Sequence, residues 1–320
     1  MSGDRFTDDL TRRTENSSRE LLARGFFFAC AALSVVTTIS IVALLVFEAA
    51  KFFSLTAPLV GVAGETASFG EFLLGTEWSL QETNLGVLPL VSVTLMVTIG
   101  SGLIAIPLGV ATAIYLSEYA SKEARSYLKP ALEVLAGVPS IVYGIFAVAY
   151  ITPALGTVFG NIGFFNIVSG CIVVGIMILP MVASISEDAM NAVPDELRQA
   201  GYGMGATKFE VSTGIVVPAA VSGIVSSFIL ALSRAIGETM AVTLAMGSRA
   251  IFQNPLNPAD YLEPGMPMTA AMIQLLTGDI TGGGLAYRSL FAIGLVLFVI
   301  TLVMNVLSDM VSRRYREVYE

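Results

Sequence analysis

VLAGVPSIVYGIFAVAYITPALGTVFGNIGFFNIVSGCIVVGIMILPMVASIS, Val134 to Ser186, runs for 53 residues without a charged side chain. A helix that crosses a bilayer needs about 20 apolar residues, so this run holds two spans, with Gly156 to Gly163 as the turn. The pattern repeats on either side. Phe26 to Phe47 and Leu85 to Ser117 are uncharged, as is Ser289 to Ser308. Val211 to Ser233 is uncharged too, and its helix is expected to continue through Arg234 and Glu238 to about Met246. The spacing therefore predicts an all-α polytopic membrane protein with six transmembrane helices.

Composition agrees. Of 320 residues, 55% are apolar and 13% charged, about half the charge of a soluble domain. A soluble enzyme and a disordered chain are both excluded. There is no histidine, which removes His-based zinc, haem and Ser-His-Asp chemistry, so neither a metal site nor a bound cofactor is expected. Cys30 and Cys171 lie in apolar runs and suggest no disulfide framework. A net charge of −8 argues against a nucleic-acid partner. The first apolar run is too long for a cleaved signal and follows a charged tail.

Basic residues set the orientation. With the N-terminus inside, 13 of 17 fall on the cytoplasmic side: Arg5, Arg12, Arg13, Arg19, Arg24, Lys122, Arg125, Lys129, Arg198, Lys208, Arg313, Arg314 and Arg316. Both termini are thus expected in the cytoplasm. The division is a tail at 1–24 and a membrane domain at 25–318, with a cytoplasmic loop at about 188–217 and outer loops at about 48–87 and 247–288. Those outer loops carry eight acids against three bases, which would repel a free anion and favour delivery by a carrier; salt adaptation would give the same bias.

Pro107, Pro139 and Pro180 fall inside spans and are expected to break or kink them. Pro139, in Gly137-Val138-Pro139-Ser140, is placed ~15 Å into the third span. An interruption there could aim N–H groups at an anion, with Ser140 as a weaker candidate on the pathway; an ordinary packing kink is the alternative. Thr94, Thr98 and Ser101 form one helical face and are expected to bond their own backbone or a neighbouring helix.

The segment Ala192 to Val211 reads as a helical hairpin. Pro194, Asp195 and Glu196 start a helix; Gly201, Gly203 and Gly205 stop it; Thr207 with Glu210 matches a capping box and starts a second helix. Such a hairpin suits docking into a partner's groove. The Gly-x-Gly-x-Gly spacing is no dinucleotide loop, because no βαβ unit is possible here.

This segment resembles the coupling loop of ABC importer permeases, whose pattern is Glu-Ala-Ala, three residues, Gly, nine residues, Ile-x-Leu-Pro. Gln199, Ala200 and Gly201 take the first positions, Gly205 the glycine, and Ile215, Val217 and Pro218 the end; Gln199 replaces the acid and Gly201 an alanine. Ala136-Gly-Val-Pro-Ser-Ile-Val-Tyr-Gly-Ile-Phe146 and Leu232-Ser-Arg-Ala-Ile-Gly-Glu-Thr-Met-Ala-Val242 resemble the third- and fifth-span motifs of phosphate permeases, nearer their C-type subunit. The resemblance runs from about Leu73 to Arg314. It implies a phosphate permease subunit that is not itself an enzyme and docks an ATPase through Gln199, Ala200, Gly201, Gly205, Ala206, Thr207, Glu210 and Pro218. It implies as partners an A-type permease, a dimeric cytoplasmic ATPase that uses ATP and Mg, and an external phosphate-binding protein. Another oxyanion or phosphonate is the alternative substrate, and a stand-alone secondary transporter the alternative class.

Arg234 and Glu238 are four apart, so a continuous helix would put them on one face as an ion pair. Intramembrane charges mark substrate pathways, and the arginine fork suits phosphate oxygens. Arg234 is therefore the candidate phosphate station and Glu238 its holder between transport events. A pair that only locks two helices is the structural alternative.

Overall fold

The computed structural model describes residues 18–54, 56, 66–79, 84–160, 162–278 and 284–316. Most of the expected tail lies outside these residues, Arg5, Arg12 and Arg13 included, as do the side chains of Arg19, Arg313, Arg314 and Arg316.

Five described helices are long and apolar enough to span: within α1 (Ser18–Ala50) Glu20–Ala50, α3 Leu88–Tyr119, α5 Ser140–Phe159, α6 Ile167–Asn191, and within α12 (Leu285–Arg316) Leu285–Leu307. The sixth is a bent pair, α8 Lys208–Ala219 and α9 Val221–Ile236, meeting at 69°. Shorter elements are α2 Phe69–Leu74, a two-residue hairpin of β1 Trp78–Ser79 and β2 Asn84–Leu85, α4 Lys122–Gly137, α7 Asp195–Gly203, α10 Met240–Met246 and α11 Met268–Thr277.

Three apolar clusters hold these elements. The central one joins α3, α5, α6, α9 and α10 through Val93, Met96, Tyr143, Val174, Ile178, Ala231 and Val242, all buried. A second gathers Phe52, Phe72, Trp78, Met268 and Ile293 around the outer segments. A third, with Ala113, Met190, Val211 and Ile224, sits where the hairpin meets the spans. Hydroxyl pairs cross the interfaces between spans: Thr152 with Ser169 and Ser186 with Ser227, each at 2.8 Å. α1 keeps Phe26, Phe27 and Phe28 exposed, as a helix does when lipid is its solvent.

Four expectations change. The helix through Arg234 and Glu238 is not continuous: α9 ends at Ile236, Gly237 caps it, and α10 starts anew after Thr239. Pro107 and Pro180 do not break their spans, since α3 and α6 run through them; dense packing between these two helices outweighs one missing donor each. Pro139 does not interrupt a spanning helix. It is the N-cap of α5, and the residues before it belong to α4, a separate helix along the edge of the bundle. Val138 before it is extended (φ −66°, ψ 130°), the conformation a proline imposes on its predecessor. Finally, Gly201 lies inside α7 rather than stopping it; the helix ends at Gly203.

Prolines act elsewhere. Pro153 and Pro218 each follow a widened π turn, Ala147–Ile151 and Ser212–Val216. A ring that lacks an N–H and crowds the preceding turn is relieved by such widening.

Candidate functional site

The hairpin forms as its residues dictate. Thr207 Oγ1 accepts from Glu210 N at 3.3 Å, and the Glu210 carboxylate accepts from Thr207 N at 2.7 Å, a complete capping box. Gly205 carries φ +83°, the left-handed position that closes a helix C-terminus, and Ala206 N reaches back to Gly201 O at 3.2 Å. Gly201 is buried against α8: a Cβ there would sit 2.7 Å from Ile215 Cδ1.

These two glycines fail differently when replaced. At Gly205 a Cβ would meet nothing within 4 Å, so only the backbone penalty applies, roughly 1–2 kcal/mol for a β-branched residue. Gly205→Val is expected to insert normally but loosen the hairpin by about that amount, whereas Gly205→Asn, which tolerates this conformation, does not; limited proteolysis of the hairpin in the inserted protein checks the contrast.

Gln199 and Ala200 are exposed on α7, and Ala206 is half-buried. The hairpin tip also presents Met204 and Phe209, 82% and 66% exposed. Sequence reading passed over both, although a large apolar side chain at a polar turn is a usable signal.

Beneath the hairpin lies a charge network that sequence reading also missed. Arg198 of α7 bonds Glu118 Oε1 at the end of α3 through Nε (3.3 Å) and Nη2 (3.2 Å), and also Val193 O (2.6 Å) and Met190 O (2.8 Å). Ser117 Oγ lies 3.1 Å from Glu118 Oε1 and 3.2 Å from Asn191 Oδ1, and Asn191 Nδ2 donates to Glu187 Oε1 at 3.4 Å. Glu187, its side chain 1% exposed, is held by Arg125 and by Lys129 Nζ at 3.3 Å, both from α4. Burial works against the Lys129 charge, yet Glu187 and Asp188 outweigh it and raise its pKa. Glu187 ends a long uncharged run, so in sequence it reads as a span boundary.

The intramembrane pair is rearranged. Arg234 is exposed, and among the described residues it has no ion pair or side-chain hydrogen bond. It lies ~20 Å along α9 at 1.5 Å per residue, beside Ser233, which donates to Asn305 Oδ1 at 3.1 Å. Glu238 instead caps α10, its Oε1 accepting from Ala241 N at 3.2 Å. Its carbonyl, released by the break, accepts from Thr269 Oγ1 of α11 at 2.7 Å. Ser140 is half-buried at the first position of α5 and bonded to neither residue. α5 packs on α10 at Gly144, where a Cβ would lie 3.1 Å from Ala241 Cα. Thr94, Thr98 and Ser101 bond carbonyls of their own helix, and Thr94 also accepts from Met268 N at 3.0 Å.

Among the described residues no group of acids and cysteines could hold a metal ion. What the arrangement offers is mechanical: an exposed knob wired into three helices, and, near the end of α9, a cation with no ion pair among the described residues.

Residues 105–317 match the family described as binding-protein-dependent transport system inner membrane component. A probable ABC transporter permease protein, YqgH, of Bacillus subtilis is 30% identical over 95% of this chain and 94% of its own. The phosphate transport system permease protein PstC of Mesorhizobium japonicum is 32% identical over 89% and 90%. Among solved structures, a bacterial ABC transporter involved in import of the acidic polysaccharide alginate superposes with a TM-score of 0.63, at 14% identity, over 95% of this chain and 99% of that one. With two thirds of its length in the family match and relatives aligned nearly end to end, this chain belongs to the inner-membrane permeases of binding-protein-dependent ABC transport systems.

Proposed function

We propose that this chain is the permease subunit of an ATP-driven phosphate importer and forms half of the translocation pathway. The observation that carries this reading is the near end-to-end similarity to a phosphate transport permease. Arg234, unpaired beside a helix break, supports it: a guanidinium fork with no protein carboxylate in its way is free to meet phosphate oxygens.

The hairpin, Gln199 to Glu210 with Pro218 behind it, serves as the ATPase docking element, with Met204 and Phe209 as its apolar anchors. The chain contains no Gly-x-x-x-x-Gly-Lys-Ser/Thr, so ATP and Mg are assigned to a separate dimeric ATPase. A second permease completes the pathway and an external binding protein delivers phosphate. Lys122, Arg125, Lys129, Arg198 and Lys208 share the hairpin end of the bundle, while Lys51 and Arg249 lie at the other, where Glu48 and Glu263 pair with them. This supports a cytoplasmic hairpin.

Copurification tests the docking role. The tagged chain, expressed with its partner permease, should retain the ATPase, and Met204→Asp with Phe209→Ala should reduce retention at least about tenfold, since buried apolar anchors dominate such contacts. Undiminished retention would remove the hairpin from the interface.

A further inference from the structure

We propose that Glu187 is the positioning residue that carries a push on the hairpin to α4 and so to the third span; this rests on the ATPase docking at the hairpin.

The path is continuous. Arg198 fixes α7 to Glu118 at the end of α3, to Met190 O in the last turn of α6 and to Val193 O just beyond it. The Met190 contact puts Arg198 on α6 itself, about one turn from Glu187, and Asn191 of the same helix donates to Glu187 Oε1 at 3.4 Å. Glu187 then holds Arg125 and Lys129, one turn apart on α4. At the far end of α4, Tyr143 of α5 donates its hydroxyl to Leu135 O at 2.6 Å. A displacement of α4 is therefore passed to the start of α5, across the two-residue Val138-Pro139 joint.

The decisive feature is how α4 is held. None of its residues is fully buried, and its apolar hold on the bundle lies at the far end, where Leu135 and, just beyond it, Val138 pack half-buried on the central cluster. Its Arg125 and Lys129 end is fixed to α6 by charge. Elements that move relative to one another are drawn from the weakly packed parts of a fold, and coupling between them travels through specific contacts. Glu187 is buried and meets two cations at the end of α4 that has no apolar hold, where Asp188, exposed, is the other acid paired with Lys129. Loss of its charge should loosen α4 from α6, leaving only the exposed Lys129–Asp188 pair between charged groups there, while Arg198 and Glu118 stay intact.

The test uses the assembled complex of both permeases, the ATPase and the binding protein. Cys30→Ser and Cys171→Ala remove the native thiols. Spin-label pairs then join Phe28 on α1, 74% exposed, either to Met204 on the hairpin or to Val134 on α4, 72% exposed. ATP binding should shift both distances in the otherwise wild-type chain. In Glu187→Gln the Phe28–Met204 shift should persist, while the Phe28–Val134 shift shrinks at least about twofold. Arg125→Gln, at a 38% exposed side chain, should act in the same direction if Glu187→Gln fails to assemble, and Arg125→Lys should restore the shift. A purely structural role would lower the yield of complex and leave the Val134 shift at full size, which overturns the proposal. No shift at Met204 in the wild-type chain would instead overturn the docking reading on which the proposal stands. Neither readout depends on which anion is carried.

Discussion

Arg234→Leu is expected to leave the chain folded, inserted and assembled, and to lower phosphate uptake per assembled complex by about a hundredfold or more. The folding half of this expectation follows from geometry. Arg234 is exposed and has no charged partner among the described residues, so its removal strands no carboxylate, and a change at such a position stays within about 0.5 kcal/mol. The transport half follows from chemistry. A bidentate, charge-assisted contact to an oxyanion in a poorly hydrated pathway contributes roughly 3 kcal/mol, which corresponds to about two decades in rate or affinity. Arg234→Lys keeps the charge without the fork and should fall between. Glu238→Gln retains the carbonyl oxygen that caps Ala241 N, so it should change uptake less than about threefold. A continuous helix would have predicted a larger effect of Glu238→Gln, by releasing Arg234 from a direct pair. Labelled phosphate uptake into vesicles, normalised to complex, measures all three.

The largest stability effect belongs to the other charge cluster. Arg125→Met with Lys129→Met leaves Glu187 buried without a cation, and stranding a buried charge costs roughly 3–5 kcal/mol. The reverse deletion is milder. Arg125 and Lys129 are 38% and 35% exposed, so after Glu187→Met both ammonium and guanidinium can turn to water. Adding Glu187→Met to the double variant should recover most of the loss, because an apolar trio of similar volume needs no desolvated charge. The recovered triple variant is expected to fold without restoring uptake, since the link from hairpin to α4 is gone. Thermal unfolding in detergent reads the first effect and vesicle uptake the second. A triple variant no more stable than the double would mean that Glu187 is not paying a burial cost.

Much of this was legible in the chain. Gaps between charges place six spans, because hydrocarbon tolerates few charges and the gaps are long. Thr207 and Glu210 could be read as a capping box, since both partners lie within one turn. The Thr94 face could be read as self-bonded for the same reason. What escaped depends on distant partners. The break at Gly237 to Thr239 is stabilised by Thr269, 31 residues further on, which satisfies the freed Glu238 carbonyl; four-residue spacing alone gave an ion pair that does not form. Pro139 was misplaced because the uncharged run begins inside the amphipathic α4, and absence of charge does not mark where a helix ends. Glu187 was invisible as a site because Arg125 lies 62 residues away. Local chemistry was readable, and long-range satisfaction of polar groups was not.

The most direct measurement is uptake by vesicles holding this chain with its partner permease and ATPase, given the external binding protein and ATP inside the nucleotide-accessible compartment. Labelled phosphate should accumulate only with ATP and binding protein present, and excess unlabelled phosphate should abolish the signal while sulfate, molybdate and phosphonate leave it largely intact. ATP-dependent accumulation of one of those other anions with none of phosphate, or phosphate accumulation by this chain alone under an ion gradient, would contradict the assignment.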